Sequence, residues 1–135
     1  MKPRKFLCAA SILLSLSLAA PVQADTVKNV ENHPISAFSH NLPTRGIARA
    51  IVRAGTKRGW IMQAVNNNTV RARLEVRAHT AIVDITFDRQ VYNITYVGSQ
   101  NLNYRNGRIH RNYNRWVRNL ENDIAVELSN VINGN

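Results

Sequence analysis

The sequence predicts an α+β domain: a helix, an antiparallel meander of three or four strands, and a long C-terminal amphipathic helix. Three observations carry this. Apolar residues recur at helical spacing over 44–57, alternate with polar residues in short stretches between 60 and 96, and return to three- and four-residue spacing over 108–132. Helices on both sides of a run of strands in the chain argue for both helices covering one face of a single sheet.

Each element has its own signal. Residues 25–40 lack sustained periodicity and contain His33-Pro34, which reads as an extended arm ahead of a domain over 41–135. Asn41 or Thr44 can cap the first helix, and Ile47, Ala48, Ile51, Val52 and Ala54 share its apolar face until Gly55 and Gly59 bracket its end. Trp60 to Val65 is apolar and stops at Asn66-Asn67-Asn68, a turn signal. Val70, Ala72, Leu74 and Val76 then alternate with Arg71, Arg73, Glu75 and Arg77. Beyond His79 the apolar positions become odd-numbered, at Val83, Ile85 and Phe87, so a turn or bulge is required near 78–80. Asp88-Arg89-Gln90 marks another turn before Tyr92, Ile94 and Tyr96. The Asn-rich stretch 98–107 reads as a loop, and Ile109, Tyr113, Trp116, Val117, Leu120, Ile124, Leu128, Val131 and Ile132 form the stripe of the last helix.

The N-terminus carries a different signal. Lys2, Arg4 and Lys5 precede an apolar run from Phe6 to Ala20, and Val22-Gln23-Ala24 offers a small-x-small cleavage site before Asp25. That order is a secretory signal peptide over 1–24, and nothing after it approaches a membrane span. Its removal takes away three basic groups and Cys8, leaving 111 residues at net charge +7, compared with +10 for the whole chain. A mature domain without cysteine is held by its core, without disulfides.

The basic residues are arranged in rows. Arg45, Arg49, Arg53 and Lys57 are four apart on the first helix, where like charges repel by roughly 0.2–0.5 kcal/mol per pair. In the last helix Arg108, Arg111, Arg115 and Arg118 come first and Glu121, Asp123 and Glu127 follow, against the preference set by the macrodipole. Neither row is explained by local helix energetics. One explanation is a contact surface for an anionic envelope component, a lipid headgroup or a glycan, or for another envelope protein. The other is a solvated face that keeps an exported protein soluble, with some arginines paired to Glu75, Asp84 or Asp88. Nucleic acid is disfavoured as a partner, since Tyr113 and Trp116 fall on the core side of the helix.

Catalytic and cofactor motifs are sparse. No two of His33, His40, His79 and His110 have the spacing that places two metal ligands on one helix face. There is no phosphate-cradling Gly-rich loop and no nucleophile elbow, so no cofactor, metal or catalytic residue is assigned. A small basic hydrolase of ribonuclease type, using His79 or His110, is an alternative to a binding or structural module, as is a homo-oligomer through a sheet face or edge. Asn101, Asn103, Tyr104 and His110 are loop-site candidates, with backbone satisfaction by Asn and capping by His110 as the competing reading. Trp60 and Trp116 read as core anchors, Trp60 being the more ambiguous.

Ile94-Thr95-Tyr96 with Ser99, Asn101-Leu102 and Tyr104, then Ile109-His110-Arg111-Asn112-Tyr113-Asn114-Arg115-Trp116-Val117 and Leu120, resembles an uncharacterised family of small exported proteins and lipoproteins of Gram-negative bacteria. Arg58-Gly59-Trp60 and Arg77-x-His79 are similar too, and the likeness covers most of 45–128. The resemblance implies a periplasmic or envelope address and an α+β domain, and it implies no activity. Where that family carries a lipobox, this chain has a cleavable signal without a terminal Cys.

Overall fold

The computed structural model describes residues 23–36 and 41–133; residues 1–22 of the signal peptide expected over 1–24, and His40, lie outside the described residues. The elements are β1 (Ala24–Thr26), β2 (Val30–Pro34), α1 (Thr44–Lys57), β3 (Ile61–Asn66), β4 (Thr69–Val76), β5 (His79–Phe87), β6 (Val91–Gln100), β7 (Arg108–His110) and α2 (Asn112–Ile132). The fold is α+β. An antiparallel sheet of order β2-β6-β5-β4-β3 carries the two helices on one face, and β1 pairs with β7 in a separate ribbon.

Strands β3 to β6 are the meander that the alternation indicates. Val70, Ile85 and Ile94 lie side by side across three strands, as do Ala72, Val83 and Tyr96. These residues, apart from the partly buried Tyr96, are buried, while Arg71, Asp84 and Thr95 occupy the opposite face. The change of parity is produced by the two-residue turn at Arg77 and Ala78, with Arg77 left-handed at φ 55. At the next turn Asp88 Oδ1 accepts from the amides of Gln90 at 2.6 Å and Val91 at 2.8 Å, which closes it.

Three expectations are corrected at the edges of elements. First, the helix over 44–57 is not the N-terminal element, because β1 and β2 precede it and β2 becomes a fifth strand beside β6. The stretch read as an arm is therefore extended but hydrogen-bonded into the domain. Second, Pro43, not Asn41 or Thr44, holds the N-cap position, extended at φ −64 and ψ 148, and its carbonyl accepts from Gly46 N at 2.7 Å. Third, β6 continues to Gln100 and α2 begins only at Asn112, so the loop is shorter and Arg108–His110 is a strand. Ile109 fits the helical stripe by spacing, yet it is buried through pairing with Asp25. A short apolar period cannot distinguish the two states at a boundary.

The Asn residues of the loop have a backbone role. Asn101, Asn103 and Asn106 sit at φ 57, 53 and 50, a region that Asn enters more readily than most residues. Gly59 at φ 87 ends α1, and Trp60 N donates to Gly55 O at 2.9 Å. From there the chain turns into β3, where Met62 packs so close to Gly55 that a Cβ on the helix would overlap it.

The core lies between the sheet and the helices. Ile47, Ala50, Ile51 and Ala54 of α1 meet Tyr113, Val117, Leu120, Ile124 and Leu128 of α2 in one buried cluster. Trp116, expected in the core, is only partly buried against it. The helices run antiparallel, since Arg53 pairs with Glu127 and Arg58 with Asp123. No helix among the described residues is long and apolar enough to cross a membrane.

Candidate functional site

The row on α1 divides into two halves with different fates. Arg53 Nε donates to Glu127 Oε2 at 3.1 Å, and Lys57 Nζ bonds the other oxygen of the same carboxylate. Arg58 adds a two-pronged pair with Asp123, at 2.6 and 2.8 Å. Two of the three acids that oppose the dipole of α2, Asp123 and Glu127, are thus the partners of cations at the C-terminal end of α1. The Lys57 and Arg53 hydrogen bonds hold the Glu127 carboxyl below the usual carboxylate range, and Arg58 does the same for Asp123. The groove of about 360 Å³ between these residues is bordered by two cations and two carboxylates and carries no net charge. Arg45 and Arg49 are exposed and make no hydrogen bond or ion pair among the described residues.

The first half of α2 is different. A cleft of about 370 Å³ opens beside it, bordered by Asp25, Lys28, Arg111, Asn112, Asn114, Arg115 and Arg118. Four cations face one carboxylate. The cleft exists because β1 lies along β7, setting Asp25 opposite Ile109, and because Asn114 clamps the chain that follows. Asn114 is 7% exposed; its Oδ1 accepts from Lys28 N at 3.0 Å and its Nδ2 donates to Thr26 O at 2.8 Å. Arg115 donates to Asn112 Oδ1 at 2.6 Å, and Arg111 donates at 2.6 Å to Gln23 Oε1, which lies within the segment expected to be cleaved. The side chains of Lys28 and Arg118 make no hydrogen bond or ion pair among the described residues. No acid lies in the first turn of α2 and Arg111 at its N-cap makes no side-chain cap bond, so its amide dipoles add to the positive field.

Arg118 also borders a neighbouring cleft of about 390 Å³ with His33, Glu31 and Glu121. There His33 Nδ1 lies 2.7 Å from Glu121 Oε1 and its ring stacks on Tyr92 with centroids 4.6 Å apart.

Compared with protein-family models, curated proteins and solved structures, the chain matches none. The site therefore rests on its own geometry.

Of the loop candidates, Asn101 and His110 lie beside the β4–β5 turn. Asn101 Nδ2 donates to Ala78 O at 2.6 Å, and the Asn101 carbonyl accepts from His79 Nδ1 at 2.8 Å. Asn103 is at positive φ, and Tyr104, 48% exposed, stacks on Tyr96 with centroids 4.5 Å apart. His110 Nδ1 accepts from Asn112 N at 3.2 Å. The ring centroids of His79 and His110 are 6.5 Å apart, with 19° between the planes. These bonds place a proton on Nδ1 of His79, which donates to a carbonyl, and leave Nδ1 of His110 unprotonated, so that the His110 proton is on Nε2. Among the described residues no group of three or more His, Cys, Asp or Glu is placed to hold a metal ion.

The structure brings the sequence candidates Arg111, Arg115 and Arg118 to one cleft together with Lys28, Asp25 and Asn114, which the sequence reading did not single out. No local signal marks them, because they join α2 only through β1–β7 pairing and a clamp spanning 86 residues.

Proposed function

We propose that this chain is an exported envelope protein, a non-catalytic binding module that holds an anionic partner in the cleft between residues 25–28 and the first half of α2. Export follows from the signal-peptide pattern and from the family resemblance. The cleft reading rests on one observation, the concentration of Lys28, Arg111, Arg115 and Arg118 around a single carboxylate. Two of those cations have no internal partner among the described residues, whereas Arg53, Lys57 and Arg58 are engaged by Glu127 and Asp123. A lipid headgroup phosphate and an acidic glycan share the required chemistry, several anionic oxygens within reach of more than one guanidinium.

The test uses residues 25–135, vesicles containing anionic phosphatidylglycerol, and heparin as a polyanionic glycan. Arg115→Glu with Arg118→Glu is expected to lower binding at least tenfold, and Arg45→Glu with Arg49→Glu to lower it far less. Equal losses from the two pairs would reduce the cleft to general surface charge. Binding of neither probe by the unaltered chain would sink the reading.

A second reading is favoured by the histidine pair. The two stacked rings, one with its proton on Nδ1 and the other with its proton on Nε2, are of the residue type that supplies a base and an acid, the two roles that phosphodiester hydrolysis of RNA requires. Degradation of RNA by the unaltered chain, lost in His110→Ala and in His79→Ala, would favour it over the binding module. RNA left intact by the unaltered chain would end it.

A further inference from the structure

We propose that β3 is a self-association edge, on which a second copy of this chain adds its own β3 antiparallel, so that the sheet continues across a twofold axis at Gln63. β3 ends the order β2-β6-β5-β4-β3, so one side of its backbone has no strand beside it. The other end of this sheet is closed to such pairing. There Pro34 lacks a donor, Asn32 sits at φ 49 where the register of β2 shifts, and the His33 ring is engaged by Glu121. β3 carries none of these guards over 61–64. Its irregularity falls between Ala64 and Asn66, at the hairpin turn.

The side chains of the edge select its occupant. Ile61–Asn66 holds no charged residue and no proline, and within it Ile61 is 61% and Val65 53% exposed. A long apolar edge left bare in this way is a template for another strand. Ile61 and Val65 stand at equal distance on either side of Gln63. In an antiparallel pairing centred on Gln63, Ile61 therefore lies opposite Val65 of the second copy, and Val65 opposite its Ile61, so a single twofold operation covers both side chains in both chains. Behind the edge, Arg71 and Arg73 are already held by Asp84 and Glu75. No unmatched charge beside β3 calls for a charged partner strand, and an uncharged strand with the same apolar spacing is the complementary species. The chain's own β3 is such a strand. With β2 guarded, each copy offers this sheet one open edge, so pairing closes at two copies and does not propagate into a fibre. One added strand buries less than the roughly 1,200 Å² at which standard interfaces begin, so the dimer is weak and forms at high protein concentration.

The experiment exploits the sequence, in which residues 25–135 contain no cysteine. Sedimentation of residues 25–135 between about 10 µM and about 1 mM should show the mass rising towards two chains. Ile61→Lys with Val65→Lys should stay a monomer throughout, with helix content and melting retained. A cysteine then reads the register. Gln63→Cys places the new thiol opposite its own copy and should give a disulfide-linked dimer when oxidised by air with copper phenanthroline. Ile61→Cys, off the axis, should link at least tenfold more slowly. Thr95→Cys should do the same, since Thr95 is exposed in the same cross-strand row as Gln63, Arg71 and Asp84 but lies away from the edge. The proposal is overturned by a monomer at about 1 mM, or by masses above two chains, which would mean an interface that does not close. It is overturned as well if the double lysine variant folds and associates as the unaltered chain does. Linking at Gln63→Cys no faster than at Ile61→Cys or Thr95→Cys overturns it whether or not the lysine variant folds.

Discussion

Arg53 on α1 donates from Nε to Oε2 of Glu127 on α2 at 3.1 Å, and the carboxylate it meets is 5% exposed. With Lys57 on the second oxygen, one acid of α2 is shared by two successive members of the α1 row. The pair ties the two helices together at the point where their charge patterns most oppose local preference. Glu127→Ala should cost about 1–2 kcal/mol, at the low end for a charged hydrogen bond because Arg53 and Lys57 are half or more exposed and regain water. Chemical denaturation at neutral pH would measure it.

The same carboxylates set an acid dependence. Glu127 is held below its ordinary value by its bonds to Lys57 and Arg53, and Asp123 by Arg58. Each then binds more protons when unfolded than when folded near the unfolded value. The stability they contribute is complete above pH about 5 and is lost as pH falls through about 4 and below. Melting followed from pH 7 to pH 3 should show this decline, and Glu127→Gln should flatten part of it.

Leu120 and Trp116 should separate in a core test. Leu120 is fully buried, so Leu120→Ala is expected to cost about 2–5 kcal/mol. Trp116 is only partly buried beside a cavity, and Trp116→Ala should cost less than the 3–5 kcal/mol typical of a core tryptophan, roughly 2 kcal/mol. Equal losses in urea unfolding would mean that Trp116 packs as a core residue.

Two glycines with open space around them should respond in opposite directions. A Cβ at Gly59 meets nothing within 4 Å, but the backbone is left-handed at φ 87, so Gly59→Ala should cost about 1 kcal/mol. Gly98 also has nothing within 4 Å and needs no positive φ, so Gly98→Ala should stabilise by about 0.4–1 kcal/mol. Paired thermal melts would distinguish them.

Asn114 should control the shape of the basic cleft. Asn114→Ala removes both hydrogen bonds to the chain at Thr26 and Lys28 and should cost about 1–3 kcal/mol. The amide of Lys28 should then exchange with solvent markedly faster, while the amide of Val83 in the central strand β5 keeps its protection. Unchanged exchange at Lys28 would show that β1–β7 pairing alone holds the segment.

Much of the fold is legible as periodicity. The alternation through Val70, Leu74, Val83 and Ile85 specifies the hairpin and its change of face, because a strand side chain has only two directions. The stripe from Tyr113 to Leu128 specifies a long helix, and the left-handed Asn101 and Asn103 explain an Asn-rich loop. The boundary at Arg108–His110 was not legible, since Ile109 is buried by pairing with a strand 84 residues earlier. The same distance hid β2 as a fifth strand and Lys28 as part of the cleft.

Fold class, meander and the abundance of positive charge follow from short-range spacing and composition, and are legible in the chain itself. Which charges are matched follows from how the helices and strands meet in space. Arg53, Lys57 and Arg58 are matched by acids on another helix, while Lys28 is brought to Arg115 and Arg118 by strand pairing. Charge compensation depends on distance in space, and the pairs that achieve it here join residues 65 to 74 positions apart along the chain.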